Sequence, residues 1–274
     1  MDMTKPGTQT NILDLISMRS RVAAVTGGSG HIGSAFARAL AQVGCDICIL
    51  DIATDQAYEQ ASILQNEYDI RASAFNVDLT DEKALEAAVE HIRREHGRLD
   101  VLVNNAAYAK LALPKDGKTL EQQTVAQWEA NIDVSLKGTF LATKAFVPLM
   151  CAISKGVVIN IASIYGVVGP DMRLYDNTEM VNPAWYSAAK GGIIQLTRYL
   201  ATTLAPEIRV NCIAPGGVWR GQPESFYSQY IARTPLRRMA TEEDLCGALV
   251  YFATDLSKYV TGQVLIVDGG WTAW

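Results

Sequence analysis

"VTGGSGHIGSAF", residues 25–36, decides the fold. It closes the apolar run "RVAAVT" (21–26) and opens "IGSAFARALAQVG" (32–44), which has helical spacing and ends at Gly44. An apolar run ending in glycines suits a strand buried on both faces. The stretch therefore reads as strand, tight turn and helix. Gly28, Gly30 and Gly33 give G-x-G-x-x-G, while Gly27, Gly30 and Gly33 stand three apart. Such glycines let backbone N–H groups approach a diphosphate at the helix N-terminus, where the helix dipole favours anions. Ser34, not lysine, follows Gly33, so this is not the phosphate loop of a nucleotide hydrolase. Gly27, Gly30 and Gly33 are read as the structural glycines ahead of Gly28. Ser29, His31 and Ile32 are candidate cofactor contacts on the same turn. For His31 the alternative is simple packing.

Outward from this turn, strand and helix alternate. "DICILD" (46–51), "IRASAFNVD" (70–78), "LDVLVNNAA" (99–107), "GVVINIAS" (156–163), "IRVNCIAPGG" (208–217) and "QVLIVDGG" (263–270) read as strands. Helices are expected at 58–67, 81–97, 124–152, 185–204 and 241–253, with Pro148 kinking or ending the long one. Repeated βα units predict an α/β fold: a Rossmann-type, doubly wound, seven-stranded parallel sheet flanked by helices on both faces. Residues 1–18 read as a tail and 19–274 as one domain. Stretches 110–123, 170–183 and 216–238 are less regular. They leave the carboxyl ends of strands, where ligands bind in this architecture, and are expected to crowd one rim.

Composition removes other classes. The 274 residues carry a net charge of −5, which gives no basic face for nucleic acid. No apolar run reaches the roughly 18 residues of a membrane span. The N-terminal stretch lacks the pattern of a signal peptide, and a cytoplasmic location is expected. Cys45 and Cys48 form C-x-x-C, but residues three apart on a strand point to opposite faces. The five cysteines are expected to be reduced core thiols, and no metal site is expected.

Asp51 ends the second strand, close to the spacing at which a carboxylate accepts from a ribose 2′-hydroxyl. It would repel a 2′-phosphate, and no arginine follows in "DIATDQ", so NAD is favoured over NADP. The alternative for Asp51 is an ordinary strand-end turn residue. Asp78 ends the third strand and is a candidate acceptor for the adenine amine, with a turn or N-cap role as the alternative.

The chemistry is carried by "WYSAAKGG". Tyr186 and Lys190 stand four apart and share a helix face. An ammonium beside a phenol is expected to lower its pKa from about 10 and fit it for proton exchange with an alcohol or ketone. Ser163, ending the fifth strand at the same rim, is placed to hydrogen-bond the reacting oxygen.

Together these residues resemble the short-chain dehydrogenase/reductase family over nearly the whole chain. The matching elements are Thr26-Gly27 with the glycine turn, Asp78, "NNAA" (104–107), Ser163, "YSAAK", "NCIAPGG" and the terminal "VDGG". The resemblance implies Ser163, Tyr186 and Lys190 as the catalytic group, with Tyr186 and Lys190 also at the cofactor. It implies Asn105 in the cofactor site and Pro215, Gly216 and Val218 at the nicotinamide carboxamide. Leu79 and Ala106 are further cofactor candidates beside Asp78 and Asn105. It also implies a homodimer or homotetramer. A looser resemblance links "SIYGVV", "LYDNTEM" and "GQPESF" to members of bacterial surface-sugar and flagellin-glycan synthesis.

Four departures stand out. His31 fills the slot of a family glycine, and Ala107 replaces the usual glycine after "NNA". Ser135 takes the place of the family's proton-relay asparagine, with Asn131 one turn earlier. Ser163 and Tyr186 are 23 positions apart instead of about a dozen, so 170–183 carries an insertion. It brings Asp171, Arg173, Tyr175, Asp176, Asn177 and Glu179, and a polar, sugar-like or phosphorylated substrate is expected, against a solvated loop or subunit contact. The rival functions are a 3-oxoacyl thioester reductase, an NAD-retaining sugar epimerase or dehydratase, and a non-catalytic dinucleotide-binding regulator.

Overall fold

The computed structural model describes residues 11–108 and 119–274. The glycine turn does follow a buried strand, β1 (Val22–Thr26), and opens a helix, α2 (His31–Gln42). The chain continues as β2 (Asp46–Asp51), α3 (Thr54–Glu67), β3 (Ala72–Asn76), α4 (Glu82–His96) and β4 (Val101–Asn104). After α5 (Val125–Ile132) and α6 (Gly138–Cys151) come β5 (Gly156–Ile161), α7 (Ala184–Thr203) and β6 (Ile208–Pro215). Helices α8 (Glu224–Arg233) and α9 (Glu243–Ala253) precede β7 (Val264–Val267). Numbering of the helices starts from α1 (Ile12–Ile16), which lies inside the stretch read as a tail.

All seven strands pair in parallel, in the order β3-β2-β1-β4-β5-β6-β7. The order reverses between β1 and β4, and a crevice opens beyond their carboxyl ends. The glycine turn leaves β1 there and Asn105 leaves β4, so the topology itself sets them face to face.

Each sheet face carries one apolar layer. Ile47 and Ile49 of β2 pack with Phe36 and Leu40 of α2 and with Leu245, Leu249 and Phe252 of α9. Cys48 and Leu50 pack on the other face with Leu85 and Ile92 of α4 and Phe146 and Met150 of α6. Cys45 belongs to the first layer and Cys48 to the second, as the period of a strand requires. Cys212 is also buried, but Cys151 is exposed at the end of α6 and is not a core thiol.

Three elements differ from the expectation. α3 begins at Thr54 rather than 58, because Asn76 Nδ2 donates to the Ile52 carbonyl and to Thr54 Oγ1 and holds the chain for an earlier start. The long helix over 124–152 is not interrupted by Pro148, and α6 runs on to Cys151. It widens instead into a π turn at Asp133–Lys137, which contains Ser135. Finally, 216–238 contains α8, whose apolar Phe226 and Tyr230 stand one turn apart and are buried. No helix among the described residues is long and apolar enough to cross a membrane.

Candidate active site

Three glycines of the turn, Gly27, Gly28 and Gly33, are dictated by space. Gly27 has φ +61°, and a Cβ on it would lie 2.9 Å from Ala106 Cα. A Cβ on Gly33 would sit 2.0 Å from the Gly27 carbonyl oxygen, so the turn folds directly onto the start of α2. Gly28 is tighter than Gly30: its Cβ would lie 2.8 Å from the Val25 carbonyl oxygen, against 3.3 Å from the Gly27 oxygen for Gly30. The ranking from sequence, which placed Gly30 ahead of Gly28, is therefore corrected.

Asn105 clamps the turn. Its Nδ2 donates to the Thr26 and Gly27 carbonyls at 3.1 and 3.0 Å. Thr26 Oγ1 accepts from the backbone N–H of both Asn105 and Ala106. Asp51 closes the other side: its Oδ2 accepts from Ser29 N at 3.0 Å and from Ser29 Oγ at 2.6 Å. Gly30, at the N-terminus of α2, contributes no side-chain cap. This tight backbone turn, which a Cβ at Gly27 or Gly33 would force open, fits the diphosphate of a dinucleotide at the start of α2.

Asp78 is exposed and turns back on its own loop. Its Oδ1 accepts from Thr80 N and Thr80 Oγ1 at 2.8 and 2.7 Å, the turn role named as its alternative. Leu79 is buried in the apolar layer under α4 and α6.

The catalytic candidates converge. Ser163 lies two residues beyond β5 and is buried. The turn after it packs so closely on α7 that a Cβ on Gly166 would lie 2.6 Å from the Lys190 carbonyl carbon. That contact brings Ser163 toward Tyr186, close enough for its hydroxyl to favour the phenolate. Lys190 is buried, donates from Nζ to the Ile161 carbonyl at 2.9 Å, and stands 5.9 Å from the Tyr186 ring centroid.

The electrostatics differ from the expectation. Burial pushes the Tyr186 phenol above its ordinary value, and the Ser163 hydroxyl only partly opposes it. Burial also pushes Lys190 down to about 8. Desolvation of both groups outweighs the expected drive toward phenolate.

These groups share one cavity of about 670 Å³. His31, Ile32 and Asn105 line it at the glycine-turn end, Ser163, Tyr186 and Lys190 in the middle, and Pro215, Gly216 and Val218 along the loop after β6. His31 is exposed at its edge. Ser135 lies beside the site: its Oγ accepts from Tyr108 N at 3.3 Å, and Tyr108 lines the cavity. Asn131 is buried on α5, and its Oδ1 has no hydrogen-bond partner among the described residues.

The insertion behaves otherwise than expected. Arg173, Asp176, Asn177 and Glu179 are exposed, and none of them lines the cavity. Asp171 is engaged by Arg173 and by Arg233 of α8. What the segment gives the cavity is Tyr175, Met180, Val181, Asn182 and Pro183. Tyr175 packs against Phe226 with the rings tilted by 51° and centroids 5.4 Å apart, and its hydroxyl bonds Tyr165 and Asn182. A chain this short satisfies its own charges outward and buries its one aromatic.

Sequence reasoning missed the wall from α8. Phe226 and Tyr230 line the cavity, as do Arg220, Gln222 and Met239. Tyr230 Oη accepts from Gly217 N at 2.6 Å and so fixes the loop after β6. The available signal was the i, i+4 pair Phe226/Tyr230 after Pro223, a residue common at helix starts.

Comparison with known proteins agrees with this geometry. A family model described as "Enoyl-(Acyl carrier protein) reductase" matches residues 28–272. A cis-4-hydroxycyclohexanecarboxylate dehydrogenase of Sinomonas cyclohexanicum is 37% identical over 258 residues, 92% of this chain and 97% of the relative. Post-translational flagellin modification protein A of Campylobacter coli is 32% identical, over 93% of this chain and 98% of its own. Among solved structures, a gluconate 5-dehydrogenase from Burkholderia cenocepacia J2315, in complex with NADP and tartrate, superposes with a TM-score of 0.85 at 29% identity. It covers 96% of this chain and 100% of its own. With the glycine turn, the seven-stranded parallel sheet and a serine, tyrosine and lysine in one cavity, the chain belongs to the short-chain dehydrogenase/reductase family.

Proposed function

We propose that this protein is an NAD-dependent dehydrogenase that interconverts a secondary alcohol and a ketone. The observation that carries the reading is the convergence of Ser163, Tyr186 and Lys190 in the cavity that begins at the glycine turn. Bound NAD would supply the hydride acceptor. Ser163 holds the reacting oxygen by a hydrogen bond, and Tyr186 exchanges its proton with that oxygen. Lys190, fixed by the Ile161 carbonyl, orients the Tyr186 ring and reaches the cofactor ribose.

The cofactor choice rests on Asp51. Its carboxylate faces the turn at Ser29, where a 2′-phosphate would meet a second negative charge. Gly27, Ser29, Gly30, His31, Ile32 and Gly33 would hold the diphosphate. Asn105, Ala106, Pro215, Gly216 and Val218 would frame the nicotinamide half, and Asp78 and Leu79 the adenine. The gluconate 5-dehydrogenase neighbour carries NADP, so the preference is what a direct assay must decide.

The walls favour a compact substrate with a hydrocarbon face, lying against Tyr175, Met180, Val181, Phe226 and Met239. A ring alcohol like that named for the Sinomonas relative has this shape. A sugar-like or phosphorylated substrate is the second reading, supported by the amides of Asn182 and Gln222 on the same walls. A homo-oligomer is part of the proposal, because Trp128 of α5, Phe140 of α6 and Tyr199 of α7 are exposed. The test is a cofactor-reduction screen with NAD and NADP over cyclic hydroxy acids, simple secondary alcohols, polyols and sugar phosphates. Turnover with none of them, or with NADP alone, would overturn the reading.

A further inference from the structure

We propose that Arg220 is a ligand of the dinucleotide diphosphate and that Glu242 holds it until the cofactor arrives; this rests on the dinucleotide reading above. Arg220 lines the same cavity as His31 and Ile32, the first two residues of α2. Its guanidinium pairs with Glu242 at 3.1 Å. The Glu242 carbonyl accepts from Cys246 Sγ, and that thiol also meets the Ala35 carbonyl of α2. The ion pair is therefore tied to the flank of α2, the helix that the glycine turn opens.

The backbone around Arg220 is fixed while its side chain is not. Val218 bridges to Ala240, and Trp219 N donates to the Ala240 carbonyl at 2.8 Å. Gln222 Oε1 accepts from Arg220 N at 2.7 Å, and Gln222 Nε2 donates to the Val218 carbonyl at 2.9 Å. The Arg220 and Glu242 side chains are 33% and 23% exposed, so their ion pair is a weak hold. A diphosphate offers more negative charge than one carboxylate and matches the forked donors of a guanidinium. Exchange of partners needs only the side chain to swing, from Glu242 to the diphosphate.

The experiment measures binding to the full chain without turnover, by titration with NADH and by competition with ADP and with adenosine. Arg220→Ala is expected to weaken NADH and ADP about tenfold and to leave adenosine within about twofold. Arg220→Lys should recover part of the loss, and Glu242→Gln should tighten NADH and ADP about threefold. Unchanged NADH and ADP affinity in Arg220→Ala, with only a raised substrate KM, would assign the guanidinium to the substrate and overturn the proposal. Equal losses for ADP and adenosine would also overturn it. A wild type that binds neither NADH nor ADP would overturn the dinucleotide reading along with it.

Discussion

Lys190 Nζ stands 5.9 Å from the centroid of the Tyr186 ring, and burial pushes its pKa down to about 8. The folded protein therefore holds this proton less tightly than the unfolded chain, whose lysine titrates at 10.5. The burial penalty is fully present below about pH 8. It is relieved as pH rises from about 8 to 10.5, and it is gone above that range. Lys190→Met is expected to be more stable than wild type at pH 7, by up to about 3 kcal/mol. Urea denaturation should show that advantage shrinking by pH 10, and a constant difference across the range would refute the burial argument.

Tyr186→Phe removes the proton donor and leaves the ring in place. Turnover is expected to fall about a hundredfold or more, with NADH affinity within about twofold of wild type. Retained turnover would transfer the acid/base role to another group.

Asp51→Ala removes the charge that faces Ser29 at 2.6 Å. The ratio of NADP to NAD turnover is expected to rise about tenfold. A wild type that already prefers NADP would sink the assignment.

The glycines give a steric series. Gly33→Ala forces a Cβ to within 2.0 Å of the Gly27 oxygen and is expected to cost about 2 kcal/mol or more. Gly28→Ala, at 2.8 Å from Val25, should cost more than Gly30→Ala, at 3.3 Å from Gly27. Thermal melts of the three variants check the order.

Asp171→Ala frees the insertion from Arg233 of α8. Substrate KM is expected to rise about threefold while NADH affinity holds. Loss of NADH affinity instead would place the segment at the cofactor.

Much of this architecture was legible because strands buried on both faces write themselves as apolar runs, as Val22–Val25 of β1 and Ile47–Leu50 of β2 do. The candidate catalytic residues were legible because Tyr186 and Lys190 need only one helix to meet. Ser163 was legible by its place after β5. The rest depended on long-range contacts. Nothing local shows that Gly28 lies under the Val25 carbonyl, or that Asp171 spends its charge on Arg233. The sign of the Tyr186 shift also escaped, since a neighbouring lysine is visible in sequence and the burial of both groups is not. α8 was hidden among polar residues, with only Phe226 and Tyr230 to mark its inner face.

The insertion has a consequence for engineering. Asp171 is tied to Arg233, Tyr175 packs against Phe226, and Arg233 lies over the Trp271 ring at 5.5 Å. The cavity wall that 170–183 forms is therefore not portable as a loop. A graft of 170–183 into a relative would arrive without the partners that shape it, whereas a cassette joining it to 224–233 and the chain end at Trp271 would carry its own scaffold.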